Sequence, residues 1–142
     1  MYNIEDAYID TEAIETGRWL PLGADFPGVE VYARGLSAPG ARKLRTHLRR
    51  IAPRTDRKVN GQLEDDAEER ILRTVVAREC ITDWRGLASG GKPLPFSRET
   101  LEGIMHEPRA RNIAAAIVNV IVDLENTRAA AVEQVAGNLK AS

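Results

Sequence analysis

Residues 113–122 read IAAAIVNVIV, and the way this run is buried decides the fold. Ten residues are half of what a membrane-spanning helix needs, and Asn119 sits among them, so the run belongs to a water-soluble helix. An ordinary surface helix buries one apolar stripe, and here almost every position is apolar. Ile113, Ile117, Val120, Ile121 and Leu124 can form the face toward a core, which leaves Ala114, Val118 and Val122 pointing elsewhere. Either the helix runs through the middle of the domain, or its second face meets another chain, a further copy of this one included. The break at Glu107-Pro108 places its start near Arg109, and the pattern carries it toward Val135.

Working backward, Ser97 is placed to cap a short helix with apolar positions Leu101, Ile104 and Met105. Farther upstream, a helix beginning near Leu63 or Asp65 has Asp65, Asp66 and Glu68 at the positive end of its dipole. Its buried face would be Leu63, Ala67, Ile71, Leu72, Val75, Val76 and Cys80, and Asp83 and Trp84 would end it. Another helix precedes it, with Ser37 as cap, Pro39 in the first turn and the stripe Ala41, Leu44, Leu48, Ile51, Ala52 before Pro53. Before that, Val29, Val31 and Ala33 alternate with Glu30, Tyr32 and Arg34 as in a half-buried strand. Gly17, Gly23, Pro27 and Gly28 punctuate the region as turns.

The expected fold is therefore α+β and mostly α-helical, an N-terminal β-hairpin or small sheet followed by a bundle of about four helices. Residues 1–11 are read as a flexible arm and 12–142 as a single globular domain, with 12–36 the hairpin region and 37–142 the helical region. A length of 142 residues suits one domain,. Aromatic residues make up only 5% of it, so Leu, Ile, Val and Ala must build the core, which favours packed helices over a large sheet,. A formal charge of −1 gives no global attraction to nucleic acid or membrane,. Cys80 is the only cysteine, which excludes an internal disulfide and a cysteine-rich metal site,. The acidic start MYNIEDAYID lacks the pattern of a signal peptide.

The stretch GLASGGKP at 86–93 has the G-x-x-x-x-G-K spacing of a phosphate-binding loop, but Pro93 stands where that loop needs Ser or Thr,. Proline offers neither hydroxyl nor N–H and keeps Lys92 out of helical geometry. A glycine turn between extended segments accounts for the residues. Eight basic residues lie between Arg42 and Lys58 and could neutralise phosphates,. No aromatic residue interleaves them to stack on bases, and the acidic run Glu64 to Glu69 follows directly, so nucleic acid is disfavoured as a partner. His47 and His106 are the only imidazoles, and no nucleophile elbow, zinc-helix motif or calcium loop is present,. Catalytic, cofactor and metal sites are accordingly not expected, and the chain is read as a non-enzyme.

Two blocks carry a family likeness: IETGRWLPLGADFPGVEVYARGL with the basic helix after it, and DWRGLASGGKPLPFSRETLEGIMHEP with the apolar helix after it. Together they resemble the tail assembly chaperones encoded by tailed bacteriophages and prophages, from about residue 10 to the end. The most specific part is Asp83, Trp84, Gly86 and Leu87, a variable turn, then Pro95, Phe96 and Ser97. The family's turn is often more acidic than the one here. The resemblance implies a mostly helical protein of the host bacterial cytoplasm. It would bind the tape measure protein, and in some cases the tail tube protein, while tube subunits polymerise. Many such chaperones also exist in a longer, frameshifted version. Candidate partner-binding residues are Trp84, Leu94, Phe96, Ile104, Val118 and Val122. The alternatives are a structural accessory protein of the tail or head-tail junction, and a regulator gripping DNA through Arg42 to Lys58.

Overall fold

The computed structural model describes residues 1–126. Three short strands, β1 (Arg18–Pro21), β2 (Glu30–Ala33) and β3 (Ile81–Arg85), form an antiparallel sheet with β2 in the centre. Leu20, Val31 and Trp84 share one register row, and Trp19, Tyr32 and Asp83 the next. Val31 and Ala33 are fully buried while Glu30 and Tyr32 are half-buried, as the alternation in the sequence requires,. On the opposite face Trp19 meets Tyr32 edge to face at 5.5 Å, and the Arg85 guanidinium lies 4.1 Å from the Trp19 ring centre. Glu30 fixes that guanidinium through hydrogen bonds of 2.9 and 3.2 Å, an arrangement that covers apolar ring surface with a charge,.

Strand β3 corrects the expectation that Asp83 and Trp84 close a helix. The register slips between Tyr32 and Ala33, which pair with Asp83 and Ile81, so Thr82 is an extra residue in the ladder,. The bulge puts two inward residues, Ile81 and Trp84, three positions apart, which mimics helical spacing. The helix itself ends earlier, in a wide turn over Val76–Cys80. Arg98 Nη1 closes that turn by donating to the carbonyls of Ala77 (2.9 Å) and Arg78.

Among the described residues five α-helices accompany the sheet. α1 (Thr11–Thr16) was not anticipated; Asp10 caps it by accepting from Ala13 N at 3.0 Å and pairs with Arg18 at 2.9 Å. α2 (Pro39–Ile51) starts with Pro39 in its first turn, but Ser37 does not cap it. The Glu125 carboxylate takes both Ser37 groups, N at 2.6 Å and Oγ at 2.7 Å, and so ties the start of α2 to the end of the last described helix. Of the expected stripe, Ala41 is buried and Leu44, Leu48 and Ala52 are half-buried, whereas Ile51 is 57% exposed. Arg57 is structural: its Nη2 donates to Arg49 O at 2.6 Å, satisfying a carbonyl at the end of α2, and its Nη1 donates to Gly61 O at 3.1 Å in the loop that follows,.

α3 (Asp65–Val75) begins with the acidic first turn expected of it. α4 (Arg98–His106) is capped by Ser97, whose Oγ accepts from Thr100 N at 3.0 Å. α5 (Arg111–Glu125) follows a single 3-10 turn at Pro108–Ala110; the part predicted to run on toward Val135 lies outside the described residues. Its buried row is Ala114, Ile117, Ile121 and Leu124. Ala114 therefore faces the core, not away from it. The steps of three, four and three residues make a straighter row than one begun at Ile113, and Ile113, Val118 and Val120 flank it half-buried,. Leu101, Met105, Val75, Val76 and Ile81 complete the enclosed centre.

Cys80 lies in that centre, and burial pushes its thiol from the ordinary 9.0 up to about 12,. The folded state thus keeps a proton that the unfolded chain releases above pH 9. Stability from this group is complete below pH 9 and is lost as pH rises toward 12,. A thiol reagent at pH 8 should label the native protein at least about tenfold more slowly than the urea-unfolded chain. Equal rates would show that the core opens at Cys80.

Candidate partner-binding surface

The glycine-rich turn is built from the backbone outward. Gly86, Gly90 and Gly91 have φ of 86°, 58° and 78° and reverse the chain into a small hairpin, β4 (Ala88–Ser89) against β5 (Lys92–Pro93),. Leu94 N donates to Leu87 O at 2.9 Å, and Trp84 Nε1 donates to Leu94 O at 2.8 Å. The Trp84 ring meets Phe96 edge to face at 4.9 Å,. No helix starts at Lys92, so the glycines present no array of N–H groups to a phosphate. The turn joins β3 to α4.

This geometry sorts the six candidate residues. Trp84, Leu94 and Phe96 come together, but as a clamp on the turn: Trp84 is only 5% exposed and cannot offer a docking face, while Leu94 and Phe96 are half-buried against it. The reason is the indole N–H, which finds its acceptor inside the fold, so nothing holds the ring at the surface. Ile104 lies half-buried on α4, beside the fully buried Leu101 and Met105. Val118 and Val122 are one turn apart on α5; Val118 is half-buried and Val122 is 41% exposed. Around them Ala115 and Asn119 are exposed as well. Beside this face a depression of about 360 Å³ separates the β1–β2 loop from α5, lined by Leu22, Phe26, Ala116, Asn119 and Val120.

A second apolar feature was not anticipated. Leu48, Ile51, Ala52, Pro53 and Ile71 line a groove of about 250 Å³ between α2 and α3, with the Asp56–Arg70 ion pair (2.9 Å) at its rim. Its signal in the sequence was Ile51, the last residue of α2 and a member of its stripe, which the helix carries out of the core just before the chain turns at Pro53. Among the basic residues of α2, Arg49 pairs with Glu68 at 3.0 Å. Arg42, Lys43, Arg50 and Arg54 have no carboxylate partner among the described residues. His47 Nδ1 lies 3.3 Å from Arg50 Nη2, and His106 Nε2 3.3 Å from Thr74 Oγ1, two separate surface contacts. Among the described residues no three metal-ligating side chains gather, and no helix is long and apolar enough to cross a membrane.

The family model for the YdaY prophage protein matches residues 36–138. The chain belongs to the YdaY prophage protein family. No curated protein and no solved structure matches it. The YdaY-matched span holds α2 to α5, the turn with its Trp84 clamp, the α2–α3 groove and the exposed face of α5, and leaves α1, β1 and β2 ahead of it.

Proposed function

We propose that this YdaY-family protein is a tail assembly chaperone. It binds the tape measure protein in the host cytoplasm and keeps that chain soluble while tail tube subunits polymerise around it. The observation that carries this reading is the outward face of α5. From Asn112 to Val122 the helix has no charged residue, yet Ala115, Asn119 and Val122 are exposed and Val118 is half-exposed. Small, uncharged side chains let a second helix approach closely, and an amphipathic helix laid along them would cover apolar surface that water meets at present. Membership in a prophage family supports the reading, as does the resemblance to tail assembly chaperones. No chemical step is assigned to the protein.

Co-expression with the tape measure protein of the same prophage tests it. The soluble fraction of that protein should rise several-fold with the wild-type chain. The rise should be lost with Val118→Asp/Val122→Asp, whose positions lie outside the fully buried row and whose circular dichroism should be unchanged. Equal tape measure solubility with and without the chain overturns the proposal. Purified particles should lack the protein; a fixed copy number in them would make it a structural accessory of the virion instead.

A further inference from the structure

The N-terminal arm and the surface of α2 are complementary in two respects. Residues 1–15 contain five carboxylates, Glu5, Asp6, Asp10, Glu12 and Glu15, and no lysine or arginine. The same stretch exposes Met1, Tyr2, Ile4, Tyr8 and Ile9, with Tyr2 and Ile4 about two-thirds accessible. Such a segment is both acidic and apolar. Five of the eight large apolar residues exposed among the described residues belong to it, and Ile51 of the α2–α3 groove is another.

The α2–α3 groove can take the apolar side chains of such a segment, and the ion pair at its rim, Asp56–Arg70, is internally balanced. Its floor is apolar, and its volume of about 250 Å³ is below that of a typical small-molecule site (~300–1,000 Å³) and suits side chains of a peptide,. On another face of α2, Arg42, Lys43, His47 and Arg50 line a second depression of about 300 Å³, and in the chain Arg50 and Arg54 directly adjoin the groove residues Ile51 and Pro53. Arg42, Lys43, Arg50 and Arg54 lack carboxylate partners among the described residues, and Glu5 and Asp6 lack cationic ones.

We propose that residues 1–9 of one copy dock in the α2–α3 groove of a second copy, with Ile and Tyr side chains on the apolar floor and Glu5 and Asp6 facing Arg50 and Arg54. Among the described residues of one chain both surfaces stand uncovered, and a contact between two chains would cover both. Reciprocal exchange of two arms satisfies both partners and closes a two-fold dimer. A nucleic acid fits the same surface less well. Phosphates gain nothing from the apolar floor, and no aromatic residue between Arg42 and Lys58 is available to stack on a base,. This inference stands on the arm and α2 and does not depend on the role given to α5.

Sedimentation velocity on the full chain tests it, at about 0.05 M and about 0.5 M salt, because pairing of exposed charges weakens as screening rises. The wild type should sediment as a dimer that weakens with salt. Deleting residues 2–9, or substituting Glu5→Lys/Asp6→Lys, should weaken dimerisation at least tenfold with unchanged circular dichroism. Adding Arg50→Glu/Arg54→Glu to the Glu5→Lys/Asp6→Lys chain should restore it, a rescue that no general loss of folding produces. A wild type that is monomeric at both salts, or whose dimer survives the deletion, overturns the proposal. So does a monomer whose α2 face binds a duplex oligonucleotide equally well with and without the arm.

Discussion

Gly86→Ala should lower stability by on the order of 3 kcal/mol or more, whereas Gly91→Ala, five residues on in the same turn, should be tolerated. Both glycines have positive φ, 86° and 78°. An L-residue in this region costs about 1–2 kcal/mol on conformation alone. At Gly91 that is the whole penalty, because a Cβ there meets no atom within 4 Å. At Gly86 the added carbon would overlap the Gly28 carbonyl oxygen and lie 2.8 Å from the Gly28 carbonyl carbon. Those atoms are backbone in the β1–β2 loop and cannot rotate aside, so the loop must separate from the end of β3. A total loss on the order of 3 kcal/mol or more is expected for Gly86→Ala. Urea unfolding of the two variants measures the difference, and equal midpoints would show that the loop and the turn do not touch.

The second large effect is Trp84→Ala, expected to cost about 3–5 kcal/mol, a sizeable share of the roughly 5–15 kcal/mol that holds a domain of this kind together. The indole fills the inner row with Leu20 and Val31, stacks edge to face on Phe96 and holds the Leu94 carbonyl. Trp84→Phe keeps most of the packing and removes only the N–H donor, so about 1 kcal/mol should be lost. Circular dichroism in urea gives both values without relying on indole fluorescence. Hydrogen exchange at the Leu94 amide, which donates to Leu87 O, reports the hairpin directly. Faster exchange in Trp84→Phe with near-normal global stability would confirm that the indole clamps the turn locally. Unchanged exchange in both variants would remove the clamp.

The helices after α1 were legible because their signals are local. Ser97 three residues before Thr100, the acidic first turn of α3 and the Glu107-Pro108 break each act within one turn of backbone. What the sequence concealed depends on contacts between distant segments. Ser37 reads as a cap, but Glu125, far along the chain, takes its hydrogen bonds. Ile81 and Trp84 read as helical neighbours because an extra residue, Thr82, breaks the two-residue period of β3. Periodicity located the apolar excess of α5 and three of its four buried residues, Ile117, Ile121 and Leu124, but began the row at Ile113 instead of Ala114. Trp84 looked like a surface anchor because nothing in the local sequence says that Leu94 O will receive its N–H. Val118 and Val122 keep their accessible position because α5 has more apolar residues than one buried row can use.

The placement of β3 also shapes the birth of the molecule. β2 is the central strand, yet its second neighbour is made only after α2 and α3, from Ile81 onward. At about 5–20 residues per second, a ribosome takes roughly 2–10 s to cross that interval. For that time the nascent hairpin presents an open row of N–H and C=O groups along β2. A message truncated before residue 81 would release the chain in that state, with Val31 and Ala33 uncovered and an unpaired strand ready to seize another.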